Sequence, residues 1–235
     1  HHTVENLLKQ RIYAIAAGYE DVNDHDQLRH DLSFQTAVGR EVNLASSSTL
    51  SRFENAINRK SLVEMSKLML EHFIASHKTP PKELILDFDP TDNTIYGQQE
   101  NRHYHGYYKD YCYLPLHVFC GDQLLVSLLR TSNIDVPKYA GAILRLLVQR
   151  FREVWPGVKI IFRGDCAFAR KRIFYWCENN NVDYVAGISS NKTLKKLAKP
   201  LTDKAKQTFL DTNEKQRLFD DFHYAAGTWN KTRRI

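Results

Sequence analysis

The sequence predicts an α/β fold in which a mixed β-sheet packs against helices, and two observations support this. Strand-like and helix-like segments alternate in the second half of the chain, and the first three strand-like segments follow one another without a helix between them. Such an order gives antiparallel strands first and parallel crossovers afterwards. The predicted strands cover residues 82–89, 111–119, 123–130, 158–162 and 182–188, and the two helices among them cover 137–155 and 168–178.

The first three strands are defined by composition and by what ends them. Residues 82–89 are followed by Pro90, which cannot continue a hydrogen-bonded ladder. Residues 111–119 are rich in aromatic and β-branched side chains, which strands favour. The tight turn Gly121-Asp122 then predicts a hairpin between the second strand and the third.

The helix over 137–155 has the clearest pattern in the chain. Pro137 lies near its start, and Pro156-Gly157 end it. Residues 158–162, which follow, are nearly all apolar, which is typical of a strand covered on both faces. The complete order, β-β-β-α-β-α-β, is the ribonuclease-H-like arrangement. One stripe of the helix carries Ala140, Ile143, Leu144, Leu147, Val148, Phe151, Val154 and Trp155.

The segments before and after the predicted α/β core have other patterns. Residues 1–80 predict helices, with possible capping boxes at 51–54 and 61–64 and a stop at Pro80-Pro81. Residues 192–199 predict a short basic helix, and residues 217–235 predict two strands around Gly227.

Composition restricts the class of protein. The 235 residues carry a net charge of +6, which suits a polyanionic partner such as DNA. No apolar run approaches the roughly 20 residues that cross a bilayer, so we expect no membrane contact. The cysteines contain no C-x-x-C pair, which predicts reduced thiols and no zinc site.

Acidic residues at two places in the sequence are the candidate catalytic residues. Asp87 and Asp89 end the first predicted strand, and Asp165 follows the fourth. In this topology those strands are parallel neighbours, so their carboxyl ends open onto the same edge of the sheet. Carboxylates there can hold Mg²⁺ or Mn²⁺, which prefer oxygen ligands. Two such ions suit phosphoryl transfer, because one activates the nucleophile and the other stabilises the leaving oxygen.

Each candidate has a structural alternative. Asp165 can instead cap a helix that begins near Cys166, and the Asp87 and Asp89 pair can simply mark an exposed strand end. Arg163 can pair with Asp165 or contact DNA. A basic cluster can contact phosphates or form a solvated helix face; its members are Lys192, Lys195 and Lys196. The histidines share no evident ligand face, so no histidine metal site is predicted at His103, His105 or His117.

Longer motifs resemble one known family over nearly the whole chain. Together they are similar to the DDE transposases of bacterial insertion sequences, within the insertion-sequence thirteen-eighty family. In the amino-terminal region the matching motifs are GYED (18–21), NDHD (23–26) and LRHD (28–31). Further along they are LDFDPTD (86–92), GQQE (97–100), YHGYY (104–108), YLPL (113–116), FCGD (119–122), LRTSN (129–133) and FRGD (162–165).

The resemblance implies a catalytic core with two Asp and one Glu that bind two Mg²⁺ or Mn²⁺ ions. The first Asp is Asp89 in the Asp-x-Thr motif, with Asp87 as the alternative, and the second is Asp165. The third acid belongs to a Tyr-Arg-Glu-Lys-type region expected beyond Ile235, because Glu178 and Glu214 come too early. Cys166-Ala167 departs from the Ser-Gly that the family usually shows at this place.

The resemblance also implies an organisation and a function. We expect a helical region with a DNA-binding or assembly role (1–80), a ribonuclease-H-like catalytic core (81–199) and the start of a β-rich insertion (200–235). The expected activity is metal-dependent strand cleavage and transfer at terminal inverted repeats, followed by joining to target DNA. It would take place in the bacterial cytoplasm at the nucleoid, with a homodimer possible.

Two other classes stay open from the sequence. The chain can be a catalytically inactive DNA-binding remnant of a transposase, or a ribonuclease-H-like nuclease without a transposon. Because the third acid is expected beyond Ile235, we predict that the isolated chain does not cleave transposon ends.

Overall fold

A computed structural model describes residues 2–235, and the chain divides into two compact units, His1–Lys67 and Leu68–Ile235. The boundary between the two units falls within a helix. The helices of the first unit are α1 (Val4–Ala16), α2 (His25–Leu28), α3 (Leu32–Val38), α4 (Ser47–Asn55) and the first part of α5 (Arg59–Ser76).

The first unit is helical, as the sequence predicts. The buried Gln10 side chain donates to the Ala45 carbonyl at 2.9 Å and accepts from the Ala45 N–H at 3.0 Å, which ties α1 to the segment before α4. Both proposed capping boxes are wrong. Residues 51–54 lie inside α4, and Asn58, not Ser61, caps α5 by accepting from the Ser61 N–H at 3.1 Å.

The second unit contains a mixed sheet in the order β6-β5-β1-β7-β8. The pairs β1–β5 and β5–β6 are antiparallel, whereas β1–β7 and β7–β8 are parallel. This confirms the predicted mixed α/β fold. The strands of this sheet are β1 (Glu83–Pro90), β5 (Leu116–Cys120), β6 (Gln123–Leu128), β7 (Lys159–Gly164) and β8 (Asp183–Ala186), and the helices between them are α6 (Ala140–Val154) and α7 (Lys171–Asn179).

The predicted strand over 111–119 is wrong, because two strands of different sheets share this segment. The chain leaves the first of them at Leu114-Pro115, and Pro115 has no N–H to continue a ladder. The beginning of this segment lies in β4 (Asp110–Tyr113). This strand forms a small three-stranded sheet with β2 (Asn93–Thr94) and β3 (His103–His105), in the order β2-β4-β3.

The carboxy-terminal segment is more helical than the sequence suggests. Helix α8 (Lys192–Thr212) continues through Pro200, where the prediction ended it and where a domain boundary was expected. Beyond it, β9 (His223–Tyr224) and β10 (Arg233–Arg234) form an antiparallel pair, which confirms two strands around Gly227. Across residues 2–235, every helix is too short or too polar to cross a lipid bilayer.

The core lies on one face of the main sheet. Leu84, Leu86 and Phe88 of β1 point into it, and the apolar stripe of α6 covers them together with Ile173 and Cys177 of α7. The opposite face of β7 is open: Ile161 is only half-buried and Arg163 is exposed. Within the described residues the expectation that β7 is covered on both faces is therefore wrong.

This one-sided packing predicts unequal costs for two adjacent isoleucines. Ile160 is 1% exposed on the helix-covered face, so Ile160→Ala should lower the free energy of unfolding by about 3 kcal/mol. Ile161→Ala removes the same atoms from the open face and should cost less than about half as much. Urea denaturation of both variants measures the difference. Equal losses would contradict a sheet that is packed on one face.

Candidate functional site

The parallel ladder between β1 and β7 brings the predicted acidic residues to one edge. The last pair of the ladder is Phe88 of β1 with Gly164 of β7. Asp89 and Asp165 are the residues that follow this pair in the sequence. Neighbouring strands lie about 4.8 Å apart. Both Asp89 and Asp165 are exposed at this carboxyl-end rim. The structure therefore brings the two candidate residues to the same place in the fold.

Asp87 is engaged by an arginine. The Nε and Nη2 atoms of Arg163 donate to the two carboxylate oxygens of Asp87, which gives a bidentate ion pair. These hydrogen bonds raise the pKa of Arg163 above its usual value. The pair cancels the charge of Asp87. The guanidinium predicted to contact DNA, or to pair with Asp165, is in fact held by Asp87.

Asp89 and Asp165 have carboxylate oxygens that form no ion pair within the described residues. Asp165 Oδ1 accepts from the Ala167 N–H at 2.8 Å and so caps the short 3-10 helix Cys166–Phe168. The capping alternative is thus real, but it uses one oxygen and leaves Oδ2. Within the described residues Asp89 takes part in no hydrogen bond or ion pair, so both of its oxygens are available.

Two glycines pack closely around the backbone beside Asp165: Gly164 of the FRGD motif and Gly187, which belongs to none of the sequence motifs above. The Gly187 N–H donates to the Gly164 carbonyl at 3.0 Å. A Cβ atom on Gly187 would lie 2.9 Å from the Cys166 nitrogen and 3.1 Å from the Asp165 carbonyl carbon. A Cβ atom on Gly164 would lie 2.8 Å from the Phe168 ring. The only sequence signal for this close approach is that the two glycines stand at the carboxyl ends of two neighbouring strands.

Two further polar side chains belong to the surroundings of the acidic pair: His117 of β5 and Tyr108, which lies in the turn between β3 and β4. His117 of β5 is the cross-strand partner of Asp89, so both side chains lie on the same face. Its Nδ1 atom is buried and has no partner in the described structure. Burial raises the pKa of Tyr108, and the negative charges of Asp92 and, more weakly, Asp165 raise it further. Sequence reasoning set His117 aside because its place on β5 is visible only in the folded chain.

A third acid does not join the pair among the described residues. No group of three or more His, Cys, Asp or Glu side chains is arranged there to hold a metal ion. Glu178 binds Arg233 Nε at 2.9 Å, the Tyr184 hydroxyl at 2.7 Å and Lys231 Nζ at 3.2 Å. Its carboxylate is therefore already satisfied by neighbours.

The predicted basic cluster lies at the first turns of α8. This helix follows β8, whose carboxyl end reaches the same edge as that of β7. Asn191 caps the helix by accepting from the Leu194 N–H at 2.9 Å. The three lysines of the prediction are exposed, and no carboxylate within residues 2–235 pairs with them: Lys192, Lys195 and Lys196.

Comparison with known proteins identifies a family. A family model described as "Transposase DDE domain group 1" matches residues 1–235. No curated protein matches the chain.

Several solved structures are similar at low sequence identity. The catalytic domain of Mos1 mariner transposase is 12% identical over 68% of this chain and 76% of that chain, with a TM-score of 0.34. A Mos1 mariner paired-end complex with Mn is 12% identical over 82% and 78%, with a TM-score of 0.32. A piggyBac transposase synaptic complex with hairpin DNA is 13% identical over 97% and 48%, with a TM-score of 0.40. Likenesses this distant carry no weight beyond the family match.

The close approach at Gly187 predicts a costly substitution. Gly187→Ala forces the backbone at Asp165 and Cys166 to move, because backbone atoms cannot rotate away. It should lower the free energy of unfolding by about 1–3 kcal/mol. Gly157→Ala is the matched control, since its Cβ atom would meet nothing within 4 Å, and it should be neutral or slightly stabilising. Thermal and urea unfolding compare the two. A neutral Gly187→Ala would show that the loop carrying Asp165 is loosely held.

Proposed function

The chain belongs to the transposase DDE domain group 1 family and is a DNA transposase, and from this premise we propose that Asp89 and Asp165 bind the divalent metal of its active site. The observation that carries the proposal is the pairing of β1 with β7, which leads both residues to one rim. The insertion-sequence thirteen-eighty subgroup stays a prediction, because the description of the matching family does not name it.

The charges at the rim support Asp89 rather than Asp87 as the first ligand. Arg163 neutralises Asp87, whereas Asp89 meets no cation within the described residues. Asp89 and Asp165 together carry two negative charges, which match one divalent cation. Their free carboxylate oxygens are the donors that Mg²⁺ and Mn²⁺ prefer. Arg163 thus acts as a positioning residue that keeps Asp87 out of the site.

The proposed reaction is hydrolysis and transfer of DNA strands at transposon ends. Divalent ions bound at such a site supply activation of the attacking water or 3′-hydroxyl and stabilisation of the leaving oxygen. Asp89 and Asp165 hold the ion by charge and leave coordination positions open for phosphate oxygens. The Ala167 N–H holds the Asp165 carboxylate in place through Oδ1.

DNA is the proposed partner, as transposon inverted repeats and as target. The net charge of +6 favours a polyanion. Lys192, Lys195 and Lys196 lie at the amino end of α8, where they can contact backbone phosphates. We propose that residues 1–80 serve DNA binding or assembly and that the enzyme works as a homodimer.

A second candidate is the inactive DNA-binding remnant, and one observation favours it for the isolated chain. Glu178 is occupied by Arg233, Tyr184 and Lys231, so residues 2–235 supply two acids rather than three at the rim. A site with two acids holds one ion more readily than two.

Metal binding tests whether Asp89 and Asp165 are ligands. Titration calorimetry with MnCl₂ should detect binding to the wild-type chain, and Asp89→Asn or Asp165→Asn should weaken it at least tenfold, since each removes a charged ligand. The control for the choice of ligand is the double variant Asp87→Asn/Arg163→Gln, which removes the ion pair without changing the net charge. That variant should bind Mn²⁺ within about threefold of wild type. Equal weakening in all three variants would contradict the assignment.

Strand cleavage tests the role of the third acid. With Mg²⁺ or Mn²⁺ and DNA that carries the element's ends, the isolated chain should show no end cleavage above the level of Asp165→Asn. The physical reason is that one ion cannot stabilise both the attacking and the leaving oxygen. Robust cleavage by the wild-type chain would prove this proposal wrong and would require another acid to join the pair.

A further inference from the structure

A basic groove runs between α6 and α7, and neither the acidic pair nor the lysines of α8 line it. Its volume is about 660 Å³. We name it the α6–α7 groove and define it by five exposed cations, one acid and one aromatic side chain: Lys138, Arg145, Arg170, Lys171, Arg172, Asp135 and Trp176.

The charges in the groove are mostly uncompensated. Arg170 donates to Asp135 at 2.9 Å. The other four cations pair with no carboxylate among the described residues. The Arg145 guanidinium lies 6.0 Å from the centre of the Trp176 ring and is held above it, which orients this cation without cancelling its charge. Four positive charges therefore face one concave surface.

The position of these cations is unfavourable for the fold alone. Lys171 and Arg172 occupy the first turn of α7, and Lys138 precedes the first turn of α6. The amino end of a helix already carries partial positive charge, so cations there are destabilising. Neither first turn contains an acidic residue, and neither helix has a side-chain cap in the described structure. A bound anion would relieve the repulsion at both helix ends.

The groove lies at the same rim as the acidic pair. Helix α6 ends at Val154, close before β7 begins, so its amino end lies toward the carboxyl end of β7. Helix α7 begins shortly after β7 ends, with Arg170 five residues after Asp165. Five residues span at most about 18 Å. At 3.4 Å per base step along one strand, this distance corresponds to about five base pairs of DNA.

We propose that the α6–α7 groove binds backbone phosphates of DNA within about five base pairs of the phosphate that Asp89 and Asp165 act on. This inference rests on the proposed function in taking the anion to be DNA rather than free phosphate. Because phosphate contacts carry no sequence information, the groove orients the duplex without selecting its sequence. It is separate from the lysines of α8.

The test measures how DNA affinity depends on salt. The groove variant combines Lys138→Gln, Arg145→Gln, Lys171→Gln and Arg172→Gln and leaves the Arg170–Asp135 pair intact. The matched control also removes four exposed positive charges, all outside the groove: Lys78→Gln, Lys82→Gln, Lys204→Gln and Lys215→Gln. The probe is a fluorescent linear duplex of mixed sequence, titrated with the full chain at several NaCl concentrations without metal.

The two variants should differ in slope as well as affinity. Removing one phosphate contact lowers the slope of log K against log salt by about 0.9, which weakens affinity about eightfold at 0.1 M salt. The slope of the groove variant should therefore fall by about 2–3, and that of the control by less than about 1. A version with Arg145→Lys and Arg172→Lys keeps the charges and should keep the wild-type slope. Equal slopes in groove and control variants would overturn the proposal.

Two further readouts keep the outcomes separate. Circular dichroism melting of each variant should match wild type within a few degrees, because only exposed side chains change. Mn²⁺ titration of the groove variant should match wild type. If Mn²⁺ does not bind the wild-type chain but the slope of the groove variant is still lower than that of wild type, the proposed metal site is wrong and the proposed DNA contact of the groove is supported. If inorganic phosphate alone binds the groove and DNA does not, the occupant is a small anion and the proposal is wrong.

Discussion

The parallel pairing of β1 with β7 is the constraint on which the rest of the site depends. Six paired positions, from Glu83 with Lys159 to Phe88 with Gly164, align the two strands. This register places Asp89 and Asp165 at one rim. A shift of one residue would turn Asp89 toward the core and put Phe88 on the open face. The apolar face that α6 covers therefore fixes the register, and the register in turn fixes the geometry of the carboxylates.

The three carboxylates near the ends of β1 and β7 have different partners. On the open face Arg163 holds Asp87, so one carboxylate is neutralised within the protein and its neighbour Asp89 is left for a cation. At the rim, close packing of Gly187 against the Asp165 backbone holds the second carboxylate. Cations at the amino ends of α6, α7 and α8 lie around this negative centre. A negatively charged pair with positive surroundings suits a metal ion together with a polyanionic substrate.

Much of this arrangement could be predicted from the sequence, because hydrophobic periodicity and the rules of strand connection are local or topological. They predict the order of the main sheet and the common edge of Asp89 and Asp165. They miss the break at Leu114-Pro115, because the apolar and aromatic pattern continues on both sides of Pro115 and hides the strand-breaking signal of that proline. They end α8 too early, because Pro200 is usually a helix stop. The ion pair of Asp87 and the close packing at Gly187 join residues distant in sequence, and only the folded chain shows them.

A crystal structure with Mn²⁺ would identify the metal ligands, because anomalous scattering locates the ion without reference to the protein. We expect an anomalous peak about 2.1 Å from an oxygen of Asp89 and an oxygen of Asp165, with Arg163 still bound to Asp87. A peak on Asp87 with Arg163 displaced, or carboxylates of Asp89 and Asp165 too far apart to share one ion, would contradict this expectation.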